Sequence, residues 1–173
     1  MMETQQQKIV LDTNIYGELA KERDIVTILE IIITQKKIIF YGIRDVIRKE
    51  IRNTPPNIRI SGKSLRILLL NLYDTIIKSH ELNITNDIFF LGDRYYDAYK
   101  EFGGSKSKDG IIKDFLIVAC ASVNSMDILV SNDNYTMLTE NAIRSYNLIN
   151  KTRGIKIPKF INYIEFRERL FSL

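Results

Sequence analysis

Two short, unbroken apolar runs, Ile9-Val10-Leu11 and Ile128-Leu129-Val130, most constrain the fold this chain can adopt. Each runs into polar turn-forming residues, Asp12-Thr13-Asn14 in one case and Ser131-Asn132-Asp133 in the other. A strand with one wet face alternates apolar and polar residues. A continuous apolar run bounded by turn residues suits a strand covered on both faces, as in a parallel sheet. Strands are therefore expected over 8–12 and 127–131, with another, KIIFYG, at 37–42. The intervening DIVTILEIIITQ at 24–35 is rich in isoleucine, which favours strands. A parallel pair nevertheless needs a crossover of about a dozen residues or more, so this segment is expected to be a helix with Asp24 as its N-cap.

The rest of the chain continues the alternation. Residues 43–52 read as a helix with an apolar stripe of Ile43, Val46 and Ile47 that Glu50 prolongs, while Arg44, Arg48 and Arg52 fall on another face. Asn53-Thr54-Pro55-Pro56-Asn57 breaks it. Two helices, at about 61–80 and 86–102, form an expected helical insert, and their tyrosines are expected to pack in the core or at a subunit interface. GGSKSK at 103–108 has the composition of a loop, and Asp109 is expected to cap the next helix. That helix is apolar almost all round, which makes Asp114 on its stripe with Ile117, Val118 and Ala121 unusual. A polar helix over 139–150, a short strand within 155–161 and a terminal helix capped by Asn162, with Glu165 reaching back, complete the pattern. Strands alternating with helices imply an α/β domain whose mainly parallel sheet is covered on both faces. The 173 residues suit one such domain.

Composition removes several chemistries. The single Cys120 lies in an apolar helix and excludes both an internal disulfide framework and a multi-cysteine zinc site. The single His80 excludes a two-histidine zinc site or a histidine acid–base pair within one chain, and it is expected to cap a helix C-terminus. The polar start MMETQQQ has no secretory hydrophobic region, and no apolar run approaches the roughly 18 residues that span a bilayer. A cytoplasmic protein, with no membrane partner, is expected. Net charge is +4, but residues 44–66 hold seven basic residues against Asp45 and Glu50, a local excess of +5. Such a segment beside an acidic site suits a polyanionic substrate.

What remains is carboxylates. Asp12 and Asp133 follow strands, and ligands of open parallel sheets bind beyond the strands' carboxyl ends. Glu50 and Asp114 lie on helices that can border the same cleft. Converged carboxylates repel, and a hard divalent cation relieves the repulsion; oxygen-only ligation with retained waters suits Mg²⁺ or Mn²⁺. A cation so held can polarise phosphoryl oxygens and acidify water for phosphodiester hydrolysis, a route that needs no histidine. Thr13, Asn14, Ser131 and Asn132 are expected to orient the carboxylates and waters.

Taken together, VLDTN at the first strand, Glu50 closing its helix, DFLIVACA at Asp114 and LVSND ending at Asp133 resemble the PIN-domain family of metal-dependent ribonucleases over nearly the whole chain. The resemblance implies a Rossmann-like three-layer α/β/α fold with strand order 3-2-1-4-5. It also implies catalytic, metal-holding carboxylates at Asp12, Glu50, Asp114 and Asp133, and endonucleolytic cleavage of RNA, commonly by a homodimer. Arg48, Arg52, Lys106 and Lys108 are the cations expected to meet RNA phosphates. Many small bacterial and archaeal members are toxins of VapC type held inactive by an antitoxin, a candidate partner here. The chain departs from that compact form in its insert between Glu50 and Asp114, and in Ser131, where threonine is common. A stand-alone RNA-processing nuclease and a non-catalytic RNA-binding domain are the competing readings. A haloacid-dehalogenase-type phosphatase is disfavoured, because Asn14 stands where that family's second aspartate is expected.

Overall fold

The computed structural model describes residues 6–173; the first five residues of the polar N-terminal stretch lie outside them. In chain order the strands are β1 Gln7–Leu11, β2 Ile38–Ile43, β3 Arg59–Ile60, β4 Lys63–Ser64, β5 Glu81–Leu82, β6 Ile128–Val130 and β7 Lys159–Ile161. The helices are α1 Thr13–Lys21, α2 Ile25–Thr34, α3 Lys49–Arg52, α4 Leu65–Ile77, α5 Asn86–Glu101, α6 Lys108–Val123, α7 Glu140–Arg153 and α8 Tyr163–Phe171. Five strands form one parallel sheet in the order β5-β2-β1-β6-β7, and β3 pairs antiparallel with β4 as a separate hairpin. With the hairpin set aside, the five central strands run 3-2-1-4-5. The apolar runs of β1 and β6 lie at its centre, Ile9 to Leu11 and Ile128 to Val130 all being buried. Helices cover both faces, giving a three-layer α/β/α arrangement.

On one face α1, α2 and α4 pack together and α8 joins α2; on the other, α5 packs on α6 and α7. The second layer centres on aromatic rings. Phe115 meets Tyr95, Tyr99 and Tyr146 edge-on, at centroid distances of 6.3, 5.6 and 5.4 Å. The Tyr95 hydroxyl donates to Asn150 Oδ1 at 2.5 Å, and Asn150 in turn donates to Ser122 at 3.0 Å, so the buried polar atoms are paired. The α5 tyrosines at 95 and 99 are thus core residues. Cys120 is fully buried, and burial pushes its thiol up to about 12.

Several local expectations are corrected. The supposed insert at 61–102 is not wholly helical: it opens with the β3–β4 hairpin, and Glu81–Leu82 is the edge strand of the central sheet, with α4 as its crossover from β2. Lys78 is the C-cap of α4, and His80 meets the helix end through its backbone, its N–H donating to Ile77 O at 3.0 Å. Its carbonyl accepts from Gly42 N at 3.0 Å, at the point where the chain enters the sheet. Ile43 belongs to β2, and the helix after it opens as a π-helical turn over Arg44–Arg48 before α3. The wider turn takes up an extra residue, so the stripe leading to Glu50 is not a regular 3.6-residue one. Asp24 occupies the N-cap position of α2 without a capping side-chain bond, and α6 is preceded by Ser107, leaving Asp109 inside its first turn. Asn162 caps α8 by accepting from Glu165 N, whereas the Glu165 carboxylate turns to Lys159 and Arg169.

Candidate metal centre

The site is built where β1 and β6 end. Asp12 N donates to Val130 O at 2.9 Å, which sets Asp12 beside Ser131 at the carboxyl edge of the sheet. Asp12 is also the N-cap of α1, accepting from Thr13 N at 2.7 Å, a favourable place for a negative charge. Its other oxygen accepts from Asn14 Nδ2 at 2.6 Å and from the Ser131 hydroxyl at 2.7 Å. The carboxyl is only 4% exposed. Burial dominates these contacts and, with the charges of Glu50 and Asp133, raises the Asp12 pKa to about 6.

Hydroxyls link the other acids to this centre. Thr13, the first residue of α1, donates from Oγ1 to Glu50 Oε2 at 2.6 Å, joining the start of that helix to α3. Asp133 lies in the turn after β6 and accepts from Tyr135 N at 2.8 Å, Thr136 N at 2.9 Å and the Thr136 hydroxyl. Burial works against its charge, but these donors prevail and its pKa is lowered. Asp133 thus builds its own turn while facing the cleft. Asp114 projects from the second turn of α6; burial first, then the charges of Asp12, Asp133 and Glu50, push it up to about 7, with the nearby Thr136 hydroxyl acting against them.

The fold therefore brings Asp12, Glu50, Asp114 and Asp133 within electrostatic reach of one another. Thr13, Asn14 and Ser131 contact their oxygens. Asn132 does something else: its N–H donates to Asn14 Oδ1 at 3.1 Å, and its side-chain oxygen accepts from Tyr163 N at the start of α8. Two contributors had no label in the sequence. Lys113, next to Asp114, places Nζ 3.5 Å from Glu50 Oε1, and Thr136 bonds Asp133. Thr136 follows Asp133 at the spacing of an Asx-type turn, the one local signal that pointed to it.

The four basic residues assigned to phosphate binding are dispersed. Arg48 is held on Asp74 by two bonds of 3.1 Å, and Lys108 is paired with Asp93 at 2.9 Å. Arg52 lines a surface hollow with Arg44 and Lys49. Lys106 is exposed in the 103–107 loop, where its backbone N donates to the Tyr99 hydroxyl at 3.2 Å.

Among the described residues no three histidine, cysteine or carboxylate side chains stand close enough together to hold a metal ion as they are placed. The donor set still fits a hard cation. Mg²⁺ commonly takes one or two carboxylates and keeps several waters rather than sitting in an all-protein cage. Asp12, Glu50, Asp114 and Asp133 would offer oxygen alone, and the raised pKa values of the buried pair Asp12 and Asp114 mark negative charge that a cation would relieve.

No protein-family model matches the chain, and no curated protein matches it. Solved structures do resemble it. A VapBC2 structure from Rickettsia felis, bound to a DNA fragment from its promoter, matches with a TM-score of 0.55 at 13% identity, covering 90% of this chain and 98% of that one. VapBC-1 from nontypeable Haemophilus influenzae gives 0.54 at 14%, over 91% and 99%. FitAcB from Neisseria gonorrhoeae gives 0.52 at 17%, over 78% and 93%. At such identities the likeness speaks to architecture alone, and with the sheet order it establishes a three-layer α/β/α fold shared with those structures.

Proposed function

We propose that this chain is a metal-dependent endoribonuclease that hydrolyses RNA phosphodiester bonds with Mg²⁺ or Mn²⁺ held by Asp12, Glu50, Asp114 and Asp133. The observation that carries the proposal is the gathering of these acids about the carboxyl edge of β1 and β6, where burial and neighbouring carboxylates raise the pKa of Asp12 to about 6 and that of Asp114 to about 7. A bound divalent ion would supply Lewis-acid stabilisation of the phosphoryl charge and would acidify the attacking water. The chain's own groups do the positioning. Ser131 and Asn14 fix one oxygen of Asp12 and leave the carboxyl one orientation. Thr13 orients Glu50, and Thr136 holds Asp133. Lys113 adds a cation beside Glu50 that a phosphate can share.

The likeness to the VapBC and FitAcB structures supports a narrower form of the proposal, a VapC-type toxin restrained by an antitoxin subunit; that it is a cytoplasmic homodimer is an expectation of the family resemblance alone. Among the described residues no helix is long and apolar enough to cross a membrane.

Purified protein is expected to cut single-stranded RNA internally with Mg²⁺ or Mn²⁺, to stop on addition of EDTA, and to lose at least about a hundredfold in rate in Asp12→Asn and Asp114→Asn. Cleavage that survives in both variants, with circular dichroism showing them folded, refutes the assignment. RNA binding without cleavage in the wild type moves the protein to the non-catalytic class.

A further inference from the structure

An apolar pocket opens beside Glu50 that the chemistry above leaves unused. Val46, Ile84, Phe89 and Leu116 provide its apolar surface, and Lys49 and Lys113 stand at its walls with the Asp45 and Glu50 carboxylates. Its volume is about 220 Å³. That is below the range of about 300–1,000 Å³ typical of sites for drug-sized ligands, and suits a single planar ring. Three elements fix its shape. Asp45 Oδ2 accepts from Ile84 N at 3.2 Å, tying the connection between β5 and α5 to the π-helical turn. Gly92 lets α6 come close, since a Cβ there would lie 3.1 Å from Leu116 Cδ2.

The position of Phe89 points to the occupant. The ring is 51% exposed, although its neighbour Ile88 is buried. Lys49 makes no ion pair among the described residues, and Lys113 is 60% exposed with Glu50 as its partner. An aromatic face beside two accessible ammonium groups matches a ligand that is planar and apolar at one end and anionic at the other. A purely apolar side chain of a partner protein would leave both lysines without a role.

We propose that this pocket takes one nucleobase of a single-stranded RNA, stacked on Phe89, with its flanking phosphates on Lys49 and Lys113. The nuclease reading adds the consequence that the strand then passes Glu50 into the acidic cleft; the stacking stands without it. Base–aromatic stacking tolerates any base, so the pocket fixes register rather than sequence.

The chain has no tryptophan, so Phe89→Trp introduces a single fluorescent reporter. A single-stranded 2′-O-methyl oligonucleotide, which resists cleavage, is expected to quench it, and an abasic oligomer of equal length to quench it far less. By anisotropy, Phe89→Ala is expected to weaken binding of the same oligonucleotide about tenfold. Phe90→Ala is expected to leave binding unchanged: that ring is equally exposed, at 50%, but faces Arg94 and Arg153. Wild-type affinity in Phe89→Ala overturns the proposal, and so does quenching by an acidic amphipathic peptide but not by RNA. An enzyme that cuts RNA with the same KM in Phe89→Ala also removes the pocket from the account, and leaves the nuclease standing. Quenching by RNA in a protein that never cuts supports the pocket and removes the nuclease.

Discussion

Burial on α6 and the neighbouring acids Asp12, Asp133 and Glu50 hold the Asp114 carboxyl at about 7, with Thr136 acting against them. This has a consequence for stability whose sign is fixed. An unfolded aspartate releases its proton near 3.8, whereas the folded one keeps it until about 7. Stability is therefore lost as pH rises through that interval, and the penalty is complete above it. Asparagine carries no such penalty. At pH 8 in EDTA, Asp114→Asn is expected to raise thermal stability by roughly 1–2 kcal/mol, the cleft's access to water keeping the gain modest. The gain should vanish near pH 4, and a Tm series across pH checks it. Asp114→Asn is thus expected to raise stability while removing cleavage. At this scale much of the site was legible. Asp12 and Ser131 follow apolar strands, so their place at the sheet edge follows from local pattern. Lys113 and Thr136 were not, because each is defined by a partner that arrives only on folding or by a turn that the sequence only hints at.

At the scale of elements, the edge strand β5 is the main departure from what the sequence suggested. Two residues, Glu81 and Leu82, carry no periodicity; their strand character comes from pairing with Gly42 and Ile43 of β2. That pairing depends on how closely α4 lies over β2. A Cβ on Gly42 would lie 2.1 Å from the Tyr73 hydroxyl and 3.0 Å from Ile77 Cγ1, so any larger residue must displace the α4 side chains packed there. Gly42→Ala is expected to cost about 2–3 kcal/mol, read as a lower denaturant midpoint. Unchanged stability would show that the Tyr73 ring has room to swing away. Among the longer helices α5 was legible because an apolar face persists over several turns, whereas α2, rich in isoleucine, was legible only through the crossover that a parallel strand pair needs. The π-helical turn before Glu50 was not, since a widened turn has no composition of its own.

For the molecule as a whole, the covered parallel sheet was legible from a few constraints, whereas its strand order was an expectation of the family resemblance that the sheet matches. Unbroken apolar runs belong at the centre of a parallel sheet, and each crossover needs a helix to cover a face. The placement of the basic residues was less legible. The excess of +5 over residues 44–66 divides on folding: Arg44 and Arg48 are paired with Glu81 and Asp74, and Lys49 is left at the pocket beside Glu50. Charge counted along a sequence does not say which cations keep a free face. The central claim is that four acids from distant parts of the chain act as one divalent-cation site, and a Mn²⁺ titration followed by electron paramagnetic resonance tests it most directly. The wild type is expected to bind Mn²⁺ saturably, with Mg²⁺ competing, and Asp12→Asn or Asp114→Asn to weaken binding about tenfold or more. Absence of saturable binding in the wild type, or unchanged affinity in both variants, would contradict the claim.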